Sequence, residues 1–84
     1  MTEIKINTRK DLGPLHDLLL KACPPADDGS VSIPILAKDH LNMTSFGVYK
    51  WINAGRIGPE QAQRVVLASG GRVKLEEFYP FIFA

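Results

Sequence analysis

Between residues 44 and 56 the chain gathers Thr44, Ser45, Phe46, Tyr49, Lys50, Asn53 and Arg56, a run of hydroxyl, aromatic, amide and cationic groups. Wound as a helix, residues 45–53 sort into two sides. Val48, Trp51 and Ile52, at spacings of three and four, can join Leu41 and Met43 in a core. Ser45, Phe46, Tyr49, Lys50 and Asn53 project the other way. An Asn amide pairs bidentately with adenine, and a Lys ammonium donates to guanine or phosphate. A Ser hydroxyl bonds base edges or backbone, a Phe ring packs on a thymine methyl, and a Tyr reaches phosphate or base. The outward set therefore has the chemistry of a major-groove reader. The same Phe46 and Tyr49 would equally suit a protein interface, and Arg56 could instead bond the carbonyls that end this helix. Mid-helix Gly47 costs up to about 1 kcal/mol relative to Ala; a close helix crossing and a close DNA backbone both remain open as its reason.

The elements around this segment have legible boundaries. Ile35 to Leu41 reads as a short helix closing at Asn42, a residue type that tolerates the left-handed conformation of a tight turn. Ser32 can cap its start, with Pro34 near its first position, and Thr44 can cap the next helix, Ser45 to Asn53. Two short helices joined this tightly cross steeply, which makes residues 34–55 a helix-turn-helix candidate.

Upstream, Leu12, Leu15, Leu19 and Ala22, widened by Leu18, predict a helix over about residues 11–22, with His16 off the stripe. Pro24-Pro25 ends it, and Asp27-Asp28-Gly29-Ser30 reads as a turn rather than a calcium loop. Downstream, Pro59-Glu60 opens a fourth helix with an inner face of Ala62, Val65, Val66 and, at its limit, Leu67; Gly70-Gly71 stops it. Arg72-Val73-Lys74 suggests a short strand, and Leu75 to Phe78 one helical turn before an aromatic tail over 75–84. Residues 1–10 form an N-terminal arm in which Ile4-Lys5-Ile6 is a strand or an ordered extension. The expectation is one domain over 1–84: a mostly α bundle of about four helices with a short C-terminal strand.

Composition narrows the function classes. No apolar run approaches the roughly 18–20 residues of a membrane span, and Met1 to Lys5 lacks signal-peptide architecture. The single cysteine, Cys23, excludes an intrachain disulfide and suits a cytoplasmic location, where it reads as a small buried residue. His16, His40 and Cys23 show no metal-ligand spacing, no glycine loop fits a phosphate, and Glu76-Glu77 are adjacent on a turn. An enzyme, a metal and a cofactor are not expected. The formal net charge is only +1, but it is unevenly spread. Residues 42–74 carry Lys50, Arg56, Arg64, Arg72 and Lys74 against the single acid Glu60, an electrostatic footprint on and just after the outward helix. A solvated basic surface would look similar.

Residues 36–73 resemble the phage Cro repressors and the YdaS-like Cro-type antitoxins. The resemblance is carried by Leu41-Asn42-Met43-Thr44, Val48-Tyr49-Lys50-Trp51, Ala54-Gly55-Arg56-Ile57, Pro59-Glu60 and Ala68 to Val73, and it extends to Leu75 to Pro80. It implies a Cro/lambda-repressor-like DNA-binding regulator that contacts operator DNA through Ser45, Phe46, Tyr49, Lys50 and Asn53, flanked by Thr44 and Arg56. A homodimer on double-stranded DNA is expected; the aromatic tail that motivates it must be covered either by the chain's own core or by another subunit. The alternative is a module of the same fold that holds a protein partner as an antitoxin or antirepressor. Two residues depart from the family's pattern: Lys38 stands where a small residue usually permits close helix crossing, and Asn42 replaces the common turn glycine. The Lys38 departure implies a shifted or lengthened second helix.

Overall fold

The computed structural model describes residues 12–84; the expected arm at 1–10 lies outside them. Helix α1 covers Pro14–Ala22. It starts later than the apolar stripe alone suggests because Pro14 sits in the first turn, where its missing N–H costs nothing. Leu15, Leu19 and Ala22 are buried as expected. His16 is buried too, against expectation: the inward stripe is one residue wider than the leucine spacing indicated. Cys23 then turns extended, with ψ 118°, as the residue before a proline prefers. It is buried, and its thiol faces the carbonyl of Pro24 at 3.4 Å. In the following turn Asp28 Oδ1 accepts from the Ser30 backbone N–H at 3.0 Å and hydroxyl at 2.7 Å. Those bonds hold the Asp28 carboxyl below its ordinary pKa.

Helix α2 begins at Ile33–Ile35, where the Ser32 hydroxyl accepts from the Ile35 N–H at 3.2 Å. It continues through Leu36–His40 with the wider π winding. The Leu41 N–H donates to Leu36 O at 3.0 Å, five residues back, and the Met43 N–H reaches Ala37 O at 2.9 Å. This wide turn turns Ala37 into the core and leaves Lys38 exposed. A cation at position 38 therefore need not enter a helix crossing. Asn42 takes the left-handed conformation expected of it, at φ +56°.

Helix α3 covers Ser45–Ala54, with the Thr44 hydroxyl accepting from the Gly47 N–H at 3.2 Å. Helix α4 covers Pro59–Ser69. Both end on a left-handed glycine, Gly55 at φ +69° and Gly70 at φ +64°, a conformation that costs any residue with a Cβ about 1–2 kcal/mol. In α4 the buried positions are Ala62, Val65 and Ser69, with Val66 half-buried. Leu67 is 82% exposed and does not belong to the inner face. Two residues past Val65 is about 200° of helical rotation, which points Leu67 away from whatever Val65 faces.

No strand occurs among the described residues, so the expected strand at Arg72 to Lys74 is corrected. A strand requires a ladder partner, and none is presented; the Val73 N–H points instead at the Ser69 hydroxyl, 3.5 Å away. Leu75–Phe78 is a 3₁₀ turn that runs into α5, Tyr79–Ile82. The described residues thus contain five α-helical segments, one more than expected, because the tail is itself helical. Phe78 is fully buried beside Leu19, Ile33, Leu36, Val48 and Val65, and the Ile57 N–H donates to Phe81 O at 3.1 Å. The tail is therefore part of the core that seats α3 and α4.

Candidate nucleic-acid interface

Helix α3 is held by its inner side. Val48 is fully buried, Ile52 is 6% exposed, and Trp51 packs half-buried against the same core. The opposite side carries Phe46, Tyr49, Lys50 and Asn53, which at spacings of three, four and seven span less than a third of the helix circumference. Phe46, Lys50 and Asn53 are exposed, Phe46 by 74%. Ser45 and Tyr49 are half-buried, so the stripe is narrower than the sequence indicated. Tyr49 leans its ring toward the core along the α3 flank while remaining reachable from solvent.

The structure brings the expected residues together in three groups. At the front of α3, Thr44 is exposed and its hydroxyl oxygen already accepts from Gly47, leaving the hydroxyl proton as its outward donor. Beside it, the backbone N–H groups of Ser45 and Phe46 begin the helix without intrahelical acceptors, a position that favours anions. Midway, the Lys50 ammonium lies 6.0 Å from the Phe46 ring centroid, at the outer limit of a cation–π contact. At the far end Asn53 and Arg56 are both exposed. The Gly55 and Arg56 backbone N–H groups, not the Arg56 guanidinium, bond the carbonyls of Ile52 and Trp51.

Gly47 lies beneath the turn residue Met43. A Cβ there would meet the Met43 methyl at 2.8 Å. That methyl is the far end of a flexible side chain, so Met43 packs over the first turn of α3 where a Cβ would displace it only at small cost.

The basic footprint divides on inspection. Arg64 donates to Leu41 O at 2.6 Å, tying α4 to the turn that precedes α3. Arg72 donates to Ser69 O at 2.9 Å at the end of α4. Lys21, from α1, pairs with Glu77 at 3.0 Å, and Glu77 also accepts from the Lys74 N–H at 2.9 Å. The Lys74 N–H first and Lys21 second hold the Glu77 carboxyl below its usual value. Among the described residues the Lys50 ammonium and the Arg56 guanidinium have no such carbonyl or carboxylate partner, and the ammonium groups of exposed Lys38 and Lys74 likewise show none, so two of the unpartnered cations are on or next to α3. Nothing local in the sequence marks Arg64 for its role, because its acceptor lies 23 residues away.

No protein-family model, curated protein or solved structure matches the chain. No helix among the described residues is long and apolar enough to cross a membrane.

Proposed function

We propose that the chain is a sequence-specific, DNA-binding transcriptional regulator of phage or prophage Cro type, which reads an operator with α3. The observation that carries this reading is the single outward stripe of Phe46, Lys50 and Asn53 on a helix locked from behind by Val48 and Ile52. An α-helix, about 10–12 Å across with its side chains, fits a major groove about 12 Å wide. Asn53 would face an adenine edge, Lys50 a guanine or phosphate, and Phe46 a thymine methyl. Thr44, the α3 N-terminus and Arg56 would fix the register on phosphates at either end, with Ser45 and Tyr49 at the margin of the contact.

Two copies on one operator would place their α3 helices about 34 Å apart. Tyr79 and Phe83, both exposed and stacked edge to face at 5.7 Å, support pairing through the tail, whereas Phe78 is spent in the protein's own core. Sedimentation that gives only monomer, with and without duplex, would remove the dimer.

Selection of bound duplexes from a random library near physiological salt tests the main reading: an enriched inverted repeat is expected, and an unenriched pool would overturn it. On the enriched duplex, Lys50→Ala lowers affinity and, where Lys50 touches phosphate, flattens the log–log salt slope by about one unit. The second reading is an antitoxin or antirepressor that holds a protein partner, and it is favoured by Phe46, a large exposed ring that a protein partner would cover. Under it, Phe46→Ala abolishes partner capture and duplex affinity stays at the non-specific level.

A further inference from the structure

On the outer side of α4, away from the face that Ala62 and Val65 bury, Leu67 projects into solvent, 82% exposed. Beside it an open hollow of about 200 Å³ lies between α4 and the turn that begins the tail. Its walls are Val66, Leu67 and Leu75, with the exposed Gln63 at the rim. A single exposed leucine is ordinary on a protein surface. A leucine that stands out next to an apolar hollow is different, because knob and hole then share one face. That is the self-complementary shape a two-fold contact between identical chains requires. A partner of another kind would have to bring both a leucine-sized knob and a hollow of its own, whereas a second copy brings both. Four residues beyond Leu75 stands Tyr79, exposed and stacked on Phe83, so the apolar surface continues from α4 into the tail.

The charges along this face have an order. Glu60, the single acid between residues 42 and 74, lies two helical turns ahead of Leu67 on the same side of α4. Arg72 and Lys74 lie past the other end of the helix, both exposed. Two copies set antiparallel about Leu67 bring Glu60 of each toward the Arg72–Lys74 end of the other. A parallel pair would bring acid to acid and base to base. Opposite charges at a rim add little affinity but fix orientation. We infer that a second copy of this chain covers this face, in an antiparallel two-fold contact where Leu67 of each copy fills the Val66–Leu75 hollow of the other. The contact gives the pairing proposed above its surface, rests on that reading, and needs no DNA.

The test is sedimentation equilibrium of the full chain, without DNA, from micromolar to millimolar concentration. The parent is expected to dimerise reversibly. Leu67→Glu should weaken dimerisation about tenfold or more at an unchanged melting temperature, because the position is exposed in the monomer and desolvated in the pair. Glu60→Lys and Lys74→Glu should each weaken it by about two- to fivefold, the range of exposed ion pairs. Combined in one chain they should recover it, since each copy then carries the exchanged pair. A parent that stays monomeric at millimolar concentration removes the pairing and this contact with it. A Leu67→Glu chain that dimerises like the parent overturns the contact but keeps the pairing, and loss of the dimer in Phe83→Ser would then assign it to the tail alone. A double charge variant that stays as weak as the single ones overturns the antiparallel setting.

Discussion

Helices α3 and α4 are built alike and use their cations differently. Each buries a short valine-containing stripe, and each ends on a left-handed glycine. On α4 and just past it, Arg64 and Arg72 turn back onto backbone carbonyls, one holding the turn before α3 and the other closing its own helix. On α3 and just past it, Lys50 and Arg56 stay exposed, and the carbonyls at the helix end are taken by main-chain N–H groups. A count of basic residues along the chain treats these four, with Lys74, as one electrostatic feature. The geometry separates cations that fasten the fold from cations left to meet something else.

The largest expected effect lies on the outward stripe. Asn53→Ala should cost about 1–3 kcal/mol of affinity for the selected operator, the worth of a bidentate amide–base pair, with no change in melting temperature. Gln63→Ala, an exposed amide on α4, should change affinity by less than a factor of two. Equal losses from the two amides in a fluorescence-anisotropy titration would erase the proposed difference between the helices.

Next in size is Arg64→Ala. It removes a charge-assisted bond to a carbonyl at a partly buried position and should destabilise the fold by about 1–2 kcal/mol in urea unfolding. Lys50→Ala, by contrast, should stay within about 0.5 kcal/mol of the parent. A stability loss for Lys50→Ala as large as that for Arg64→Ala would mean that α3's cation is also structural.

The smallest effect concerns acid. The Glu77 carboxyl is held below its ordinary value of 4.5 by the Lys74 N–H and Lys21. A carboxylate whose pKa is depressed in the folded state contributes stability that is complete above the unfolded value and is lost as pH falls toward the folded one. Glu77→Gln should therefore be slightly less stable than the parent at pH 7, with the gap closing as pH falls below 4.5 and through the folded value. The group is solvent-exposed, so the gap will be small. A gap that persists unchanged to low pH would assign it to packing rather than charge.

Local signals carried well into three dimensions. The capping hydroxyls of Ser32 and Thr44, the left-handed Asn42 and the glycine stop of α4 were readable, because each is decided within a few residues of backbone. The inner side of α3 was readable from periodicity, and so was most of its outer side. What the sequence did not disclose depends on distant partners. His16 is buried because other helices close over it, and Val73 forms no ladder because no neighbouring strand exists among the described residues. Leu67 misled because a run of apolar residues in α4 continued past the face the core can reach. The half-buried state of Tyr49 likewise follows from packing against a core assembled from other elements.

The wide winding of Leu36–His40 has an evolutionary corollary. Such a turn holds one residue more than an ordinary helical turn, so it records, in folded form, a place where chain length can vary by one without disturbing either neighbour. Loss of a single codon there, at exposed Lys38 for instance, would rewind the turn conventionally and still deliver Ser45–Ala54 to the same seat. Homologous genes should therefore show their one-residue gaps at this position and not within α3.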